Sequence, residues 1–141
     1  MKKINSKSLL RFTFYFGAAA DSIIAAIWFA IACGCNIADP LTGYIGSGQD
    51  FKVAMYIAAL FMTGWAVILI WGAQKPIERK GILMITAFFL TLSIVVEVLF
   101  WSNVMIGNRY LPGVIQRLFI VMLMSFSYFY DSRKNKSRKY G

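Results

Sequence analysis

Three ionisable side chains stand inside stretches that are otherwise apolar: Asp21 in "GAAADSIIAAIW", Glu97 in "LSIVVEVLF" and Arg117 in "GVIQRLFIV". A charge at the depth of hydrocarbon costs on the order of 3 kcal/mol unless it is paired, so such residues turn toward one another or toward a polar interior. Two kinds of chemistry fit this set. One is an ion-pair clamp between helices. The other is a site where carboxylates sharing one guanidinium exchange a proton for a ligand, because the planar fork of an arginine can serve more than one carboxylate. A third feature is the pair Cys33 and Cys35, whose one-residue spacing would make an internal disulfide strained and readily reduced. No catalytic residue follows from any of these.

The elements that must position them are read from composition. The chain has 141 residues, of which 59% are hydrophobic and 15% charged, against roughly 45–50% and 25% in soluble proteins. Four apolar runs stand between short polar connections, at 11–33, 51–73, 81–101 and 111–130, each near the ~20 residues that a helix needs to cross hydrocarbon. The fold class is therefore all-α: an integral membrane four-helix bundle forming a single domain over 1–141, with a basic tail at 131–141.

The net charge of +9 is unevenly placed. Lys2, Lys3, Lys7 and Arg11 precede the first span; Lys75, Arg79 and Lys80 fill the connection before the third; Arg133, Lys134, Lys136, Arg138 and Lys139 follow the fourth. The other two connections hold Asp39, Asp50, Lys52 and Arg109. Cations stay on the cytoplasmic side during insertion, which puts both termini and the 74–80 loop in the cytoplasm. The basic tail is then a solvated segment that touches anionic lipid, and no nucleic-acid partner is expected.

Depths follow from a rise of ~1.5 Å per residue. Measured from the cytoplasmic end at that rise, Asp21 lies roughly 15 Å in, Arg117 roughly 20 Å and Glu97 roughly 24 Å. Spans three and four form a hairpin centred near Gly107, and Glu97 and Arg117 are each ten residues from that centre. They should meet, with Asp21 joining them to make a cluster of one net negative charge. The alternative for Asp21 is a bond to Thr63, Trp65 or Thr91, at comparable depth.

The connection from Gly34 to Asp50 is the longest, broken by Pro40, Gly43, Gly46 and Gly48. Pro76 suits the first turn of the third helix and Glu78 its positive end. Trp71, Trp101, Tyr128 and Tyr130 fall where interfacial aromatics anchor spans. The stretch "IACGC" after a basic start also has the look of a lipoprotein signal acylated at Cys35, but its apolar run exceeds the ~7–15 residues of a signal core and contains Asp21. With no histidine and two cysteines, haem ligation by imidazole and a closed thiolate zinc site are excluded, and no cofactor or metal is expected. No phosphate loop or serine elbow is present, which weighs against an enzyme.

At "GWAVILIWGAQKPIERKGILMIT" the chain resembles a family of small bacterial inner-membrane proteins with four spans. Those members carry an aspartate in the first span, Gly-Trp in the second, and Trp followed by Pro-x-Glu-Arg-basic-Gly before the third. The matching positions here are Asp21, Gly64, Trp65, Trp71, Pro76, Glu78, Arg79, Lys80 and Gly81. The resemblance implies a multi-pass topology in the bacterial cytoplasmic membrane and no mechanism. Small multidrug exporters share the size and span number, but this chain lacks their glutamate in span one.

Two main functions remain in view. The first is a non-enzymatic interaction or accessory protein, partnered by lipid and by a second copy or another membrane protein through the small residues Gly17, Ala18, Ala19, Ala20, Ala25 and Ala26. The second is a small transporter or proton-linked carrier using Asp21, Glu97 and Arg117. A membrane thiol redox protein using Cys33 and Cys35 is a third reading. A polar cavity reaching Asp21 would favour the carrier; dry packing around it would favour the interaction protein.

Overall fold

The structure is a computed structural model in which residues 5–100 and 110–139 are described, with side chains through Lys134. It contains four helices: α1 Ser6–Ala32, α2 Gln49–Gln74, α3 Gly81–Phe100 and α4 Leu111–Lys139. All four are long and apolar enough to cross a membrane. The hairpin turn at Gly107 and the anchor Trp101 lie outside the described residues.

Helix ends differ from the apolar runs because hydropathy marks where oil is preferred, whereas a helix stops where backbone groups find other partners. α1 begins before its apolar run because Asn5, in an extended conformation, accepts a bond from the Lys7 amide and caps the first turn. α4 continues into the basic tail, through Lys139; Lys80 bonds both Asp131 and Ser132 and holds the first added turn.

The segment before α3 also departs from expectation. Residues 75–80 form a turn, and α3 starts only at Gly81, so Pro76 is buried in the turn instead of opening the helix. Glu78 pairs with Lys75 at 3.3 Å, both side chains exposed, and does not serve the helix dipole. Arg79 bonds the Trp71 carbonyl and lies 3.4 Å over its ring. This stretch is a compact turn in which Lys75, Glu78 and Arg79 have local partners, while Lys80 reaches Asp131 and Ser132 of α4.

Cys33, Gly34 and Cys35 end α1. The Cys35 amide donates to the Ala30 carbonyl at 3.0 Å and the Gly34 amide to Ile31 at 2.9 Å, the paired pattern of a Schellman cap, with Gly34 at φ +99°. Both thiols are free and exposed.

The helices pack in the order α2, α1, α4, α3. α1 packs along α2 and α4, α3 packs on α4, and α2 and α3 make only sparse contact. The apolar core gathers toward the end of the bundle that bears the termini, where Leu10, Phe14 and Ala18 of α1 meet Leu69 and Ala73 of α2, Leu83 and Ala87 of α3, and Met124 of α4. Gly17 admits Met124 and Leu69, and Gly72 admits the Phe14 ring; neither place has room for a Cβ without movement. Half of the small-residue face of α1 is therefore spent inside the chain, with Gly17, Ala18 and Ala25 buried, while Ala19 and Ala26 stay exposed. Elsewhere the exterior is apolar, as at Phe61, Phe88, Leu99 and Met122, a surface suited to hydrocarbon rather than water.

Candidate functional site

The opposite end of the bundle is hollow. A cavity of about 500 Å³ opens between the helices, walled by Asp21 and Trp28 of α1, Met62 and Trp65 of α2, Phe89, Leu90, Ser93 and Glu97 of α3, and Arg117 of α4. Asp39, Leu41 and Thr42 of the loop after α1 complete it. α2 and α3 make only sparse contact, and beside the cavity the indole of Trp65 links them by donating to Thr86 Oγ1 at 3.2 Å.

Glu97 and Arg117 meet as the depth argument required. Nη1 donates to Oε1 and Nη2 to Oε2, each at 2.6 Å, a bidentate pair with both residues buried. The same guanidinium donates from Nε to the Gly113 carbonyl at 3.1 Å, from Nη1 to Ser93 Oγ at 3.2 Å and from Nη2 to the Leu41 carbonyl at 3.3 Å. An arginine has five N–H groups. All five are used, so none is left for Asp21.

The three-residue cluster is therefore not formed as one network: Asp21 shares the cavity with Glu97 and Arg117 but is bonded to neither. Nor do the alternative partners answer it. The Thr63 hydroxyl donates to the Ala59 carbonyl and that of Thr91 to Ala87, each one turn back on its own helix, while Trp65 is committed to Thr86. A threonine hydroxyl in a span satisfies itself this way when no closer acceptor exists. Asp21 Oδ2 is buried and has no hydrogen-bond partner.

Asp39, which the sequence reading placed only in the connection after the first span, takes part in the cavity wall. It is buried, and its carboxylate accepts from Trp28 Nε1 at 2.8 Å, from the Leu41 and Thr42 amides at 3.2 and 3.3 Å, and from the Thr42 hydroxyl. The signal was present in "DPLT", since an aspartate before proline with a threonine three residues on is a turn that bonds its own backbone. The turn is pressed onto the bundle: Leu41 backbone atoms occupy the space where a Cβ at Gly113 would stand. Ser93 was also missed, although it lies four residues before Glu97 and hence on the same helix face.

Each ionised or hydroxylic side chain in the cavity wall thus has a partner, except Asp21. Chemically, the site offers one unsatisfied carboxylate oxygen in an aromatic and aliphatic chamber. Cys33 and Cys35 lie outside it, at the end of α1, and the glycine between them faces the Lys52 side chain. Among the described residues no group of His, Cys, Asp and Glu could hold a metal ion. No protein-family model, curated protein or solved structure matches this chain.

Proposed function

We propose that the protein is a multi-pass carrier of the bacterial cytoplasmic membrane, with both termini in the cytoplasm, that takes up a small molecule at Asp21 and passes it across the bilayer. The observation that carries this reading is the cavity itself, of about 500 Å³, reached by a buried carboxylate oxygen without a partner. Its size falls within the ~300–1,000 Å³ of ligand sites, and its make-up is similar: apolar walls with few polar groups. A helix clamp accounts for Glu97 and Arg117, but it leaves the Asp21 carboxylate unanswered beside open space.

The orientation rests on the distribution of lysine and arginine. On that orientation the packed core closes the cytoplasmic half, and the cavity occupies the outer half beneath the Asp39 turn. Carriage requires the core side to loosen when the turn side is closed. The interaction reading has less support, because half of the small residues of α1 on which it stood, Gly17, Ala18 and Ala25, are buried within the chain.

Thiol accessibility tests the proposal. In a Cys33→Ser/Cys35→Ser background, Asp21→Cys is placed in sealed proteoliposomes and exposed to a charged, membrane-impermeant thiol reagent on either side. A carrier exposes the position to each side in turn and labels from both. Labelling from neither side would mean that residue 21 sits in dry packing, and the carrier would be abandoned.

A further inference from the structure

The cavity wall also specifies what could occupy it, and this step rests on the carrier reading. We infer that the ligand is an organic cation with a flat apolar body, its charge set against Asp21 and its body against Trp65 and Phe89.

The argument begins with charge. Three carboxylates and one guanidinium face the cavity: Asp21 from α1, Asp39 from the loop, Glu97 from α3 and Arg117 from α4. Glu97 is neutralised by Arg117, and the charge on Asp39 is spread over four donors. An anionic ligand would meet this acidic wall with no donor from Arg117 to receive it, since all five are taken. A hard inorganic cation wants about six oxygen ligands, whereas Asp21 offers one free carboxylate among carbon and sulfur atoms. A neutral polar molecule would leave its own donors and acceptors unmatched against Met62, Phe89 and Leu90.

An organic ammonium fits all of these conditions. Its charge is diffuse enough to need one carboxylate, and aromatic faces attract what remains of it. Trp65 is held in place for this by its bond to Thr86. Access follows from the same geometry: α2 and α3 make only sparse contact, so an amphiphilic cation dissolved in the bilayer reaches the chamber sideways.

The test uses three probes of nearly equal shape on the full chain in phosphatidylcholine nanodiscs, read by tryptophan emission. They are benzyltrimethylammonium, its neutral isostere neopentylbenzene, and the anion phenylmethanesulfonate. Only the ammonium should give a saturable change. Asp21→Asn should weaken it by about tenfold or more, as loss of a desolvated charge partner does; Asp21→Glu should restore part of the affinity, and Trp65→Phe should weaken it less than Asp21→Asn. Equal binding of the neutral isostere, or undiminished binding by a monodisperse Asp21→Asn protein, would overturn the inference. If the ammonium fails to bind while Asp21→Cys still labels from both sides of the vesicle, the cation class is wrong and the carrier stands. If Asp21→Cys labels from neither side, both fall together.

Discussion

Replacing Arg117 by Gln should destabilise the bundle far more than replacing both members of its ion pair. Both recorded bonds of the Glu97 carboxylate go to Arg117, and both residues are buried. The single change leaves a carboxylate at membrane depth with its partner gone, a cost of about 3 kcal/mol. At about 1.4 kcal/mol per factor of ten, that is roughly two decades in the folding equilibrium. Glu97→Leu/Arg117→Met removes the stranded charge. What remains is the Leu41 carbonyl deprived of its donor, worth about 1 kcal/mol. The double variant should therefore recover most of the loss. Equilibrium unfolding in dodecylmaltoside micelles titrated with sodium dodecyl sulfate, followed by circular dichroism, gives both midpoints. A single variant as stable as the parent, or a double variant no better than the single, would refute the reasoning, because each outcome would mean that the pair is not desolvated.

Two further expectations concern the ends of the bundle. Gly113→Ala places a methyl group where Leu41 backbone atoms already stand, and backbone yields less readily than a side chain; overpacking of this kind costs about 1–3 kcal/mol. The Asp39 turn should lift, seen as faster hydrogen exchange at the Thr42 and Gly43 amides, and unchanged exchange would show that the turn is not seated on α4. At the other end, Thr13 and Ser127 share a buried bond of 2.6 Å between α1 and α4, and because Thr13 donates to Leu9, Ser127 must be the donor in it. Thr13→Val should cost about 0.6 kcal/mol, the mean for such bonds in membranes, and adding Ser127→Ala should cost less than the same change made alone; strict additivity in the unfolding assay would show that the bond contributes nothing.

The parts of this arrangement that were legible in the sequence are those governed by a repeating cost. Every residue in hydrocarbon incurs a transfer energy, so four helices could be located from apolar runs alone, and their antiparallel hairpin put Glu97 opposite Arg117 by simple counting. Helix ends were less legible, because single contacts decide them: Asn5 extends α1 and Lys80 extends α4 through bonds to particular atoms. The Pro76 turn misled for the same reason, since a proline fits equally well in a first helical turn and in the turn before it. Cys33 and Cys35 suggested redox chemistry, whereas the residue between them carries the structural demand, a left-handed glycine closing α1. The cavity was the least legible feature. A void arises from how four helices diverge, and no local pattern records the sparse packing of α2 on α3.

The count of donors on Arg117 separates two roles that proximity alone would merge. An arginine in reach of two carboxylates invites a shared cluster, but this one also holds Gly113, Ser93 and the Leu41 carbonyl. It therefore ties α3 to α4 and both to the outer turn, and any motion that frees it must break bonds to three different elements. A residue so bound is a poor choice for a site that must change partners with each turnover. Asp21 has the opposite character: one buried oxygen, no bond to give up, and open volume in front of it. Binding a cation there disrupts nothing already made, so the affinity it gains is not offset by the loss of an internal pair. On the carrier reading, the clamp and the proposed binding residue share one cavity wall: Arg117 and Glu97 hold α3 against α4, and Asp21 stands on α1.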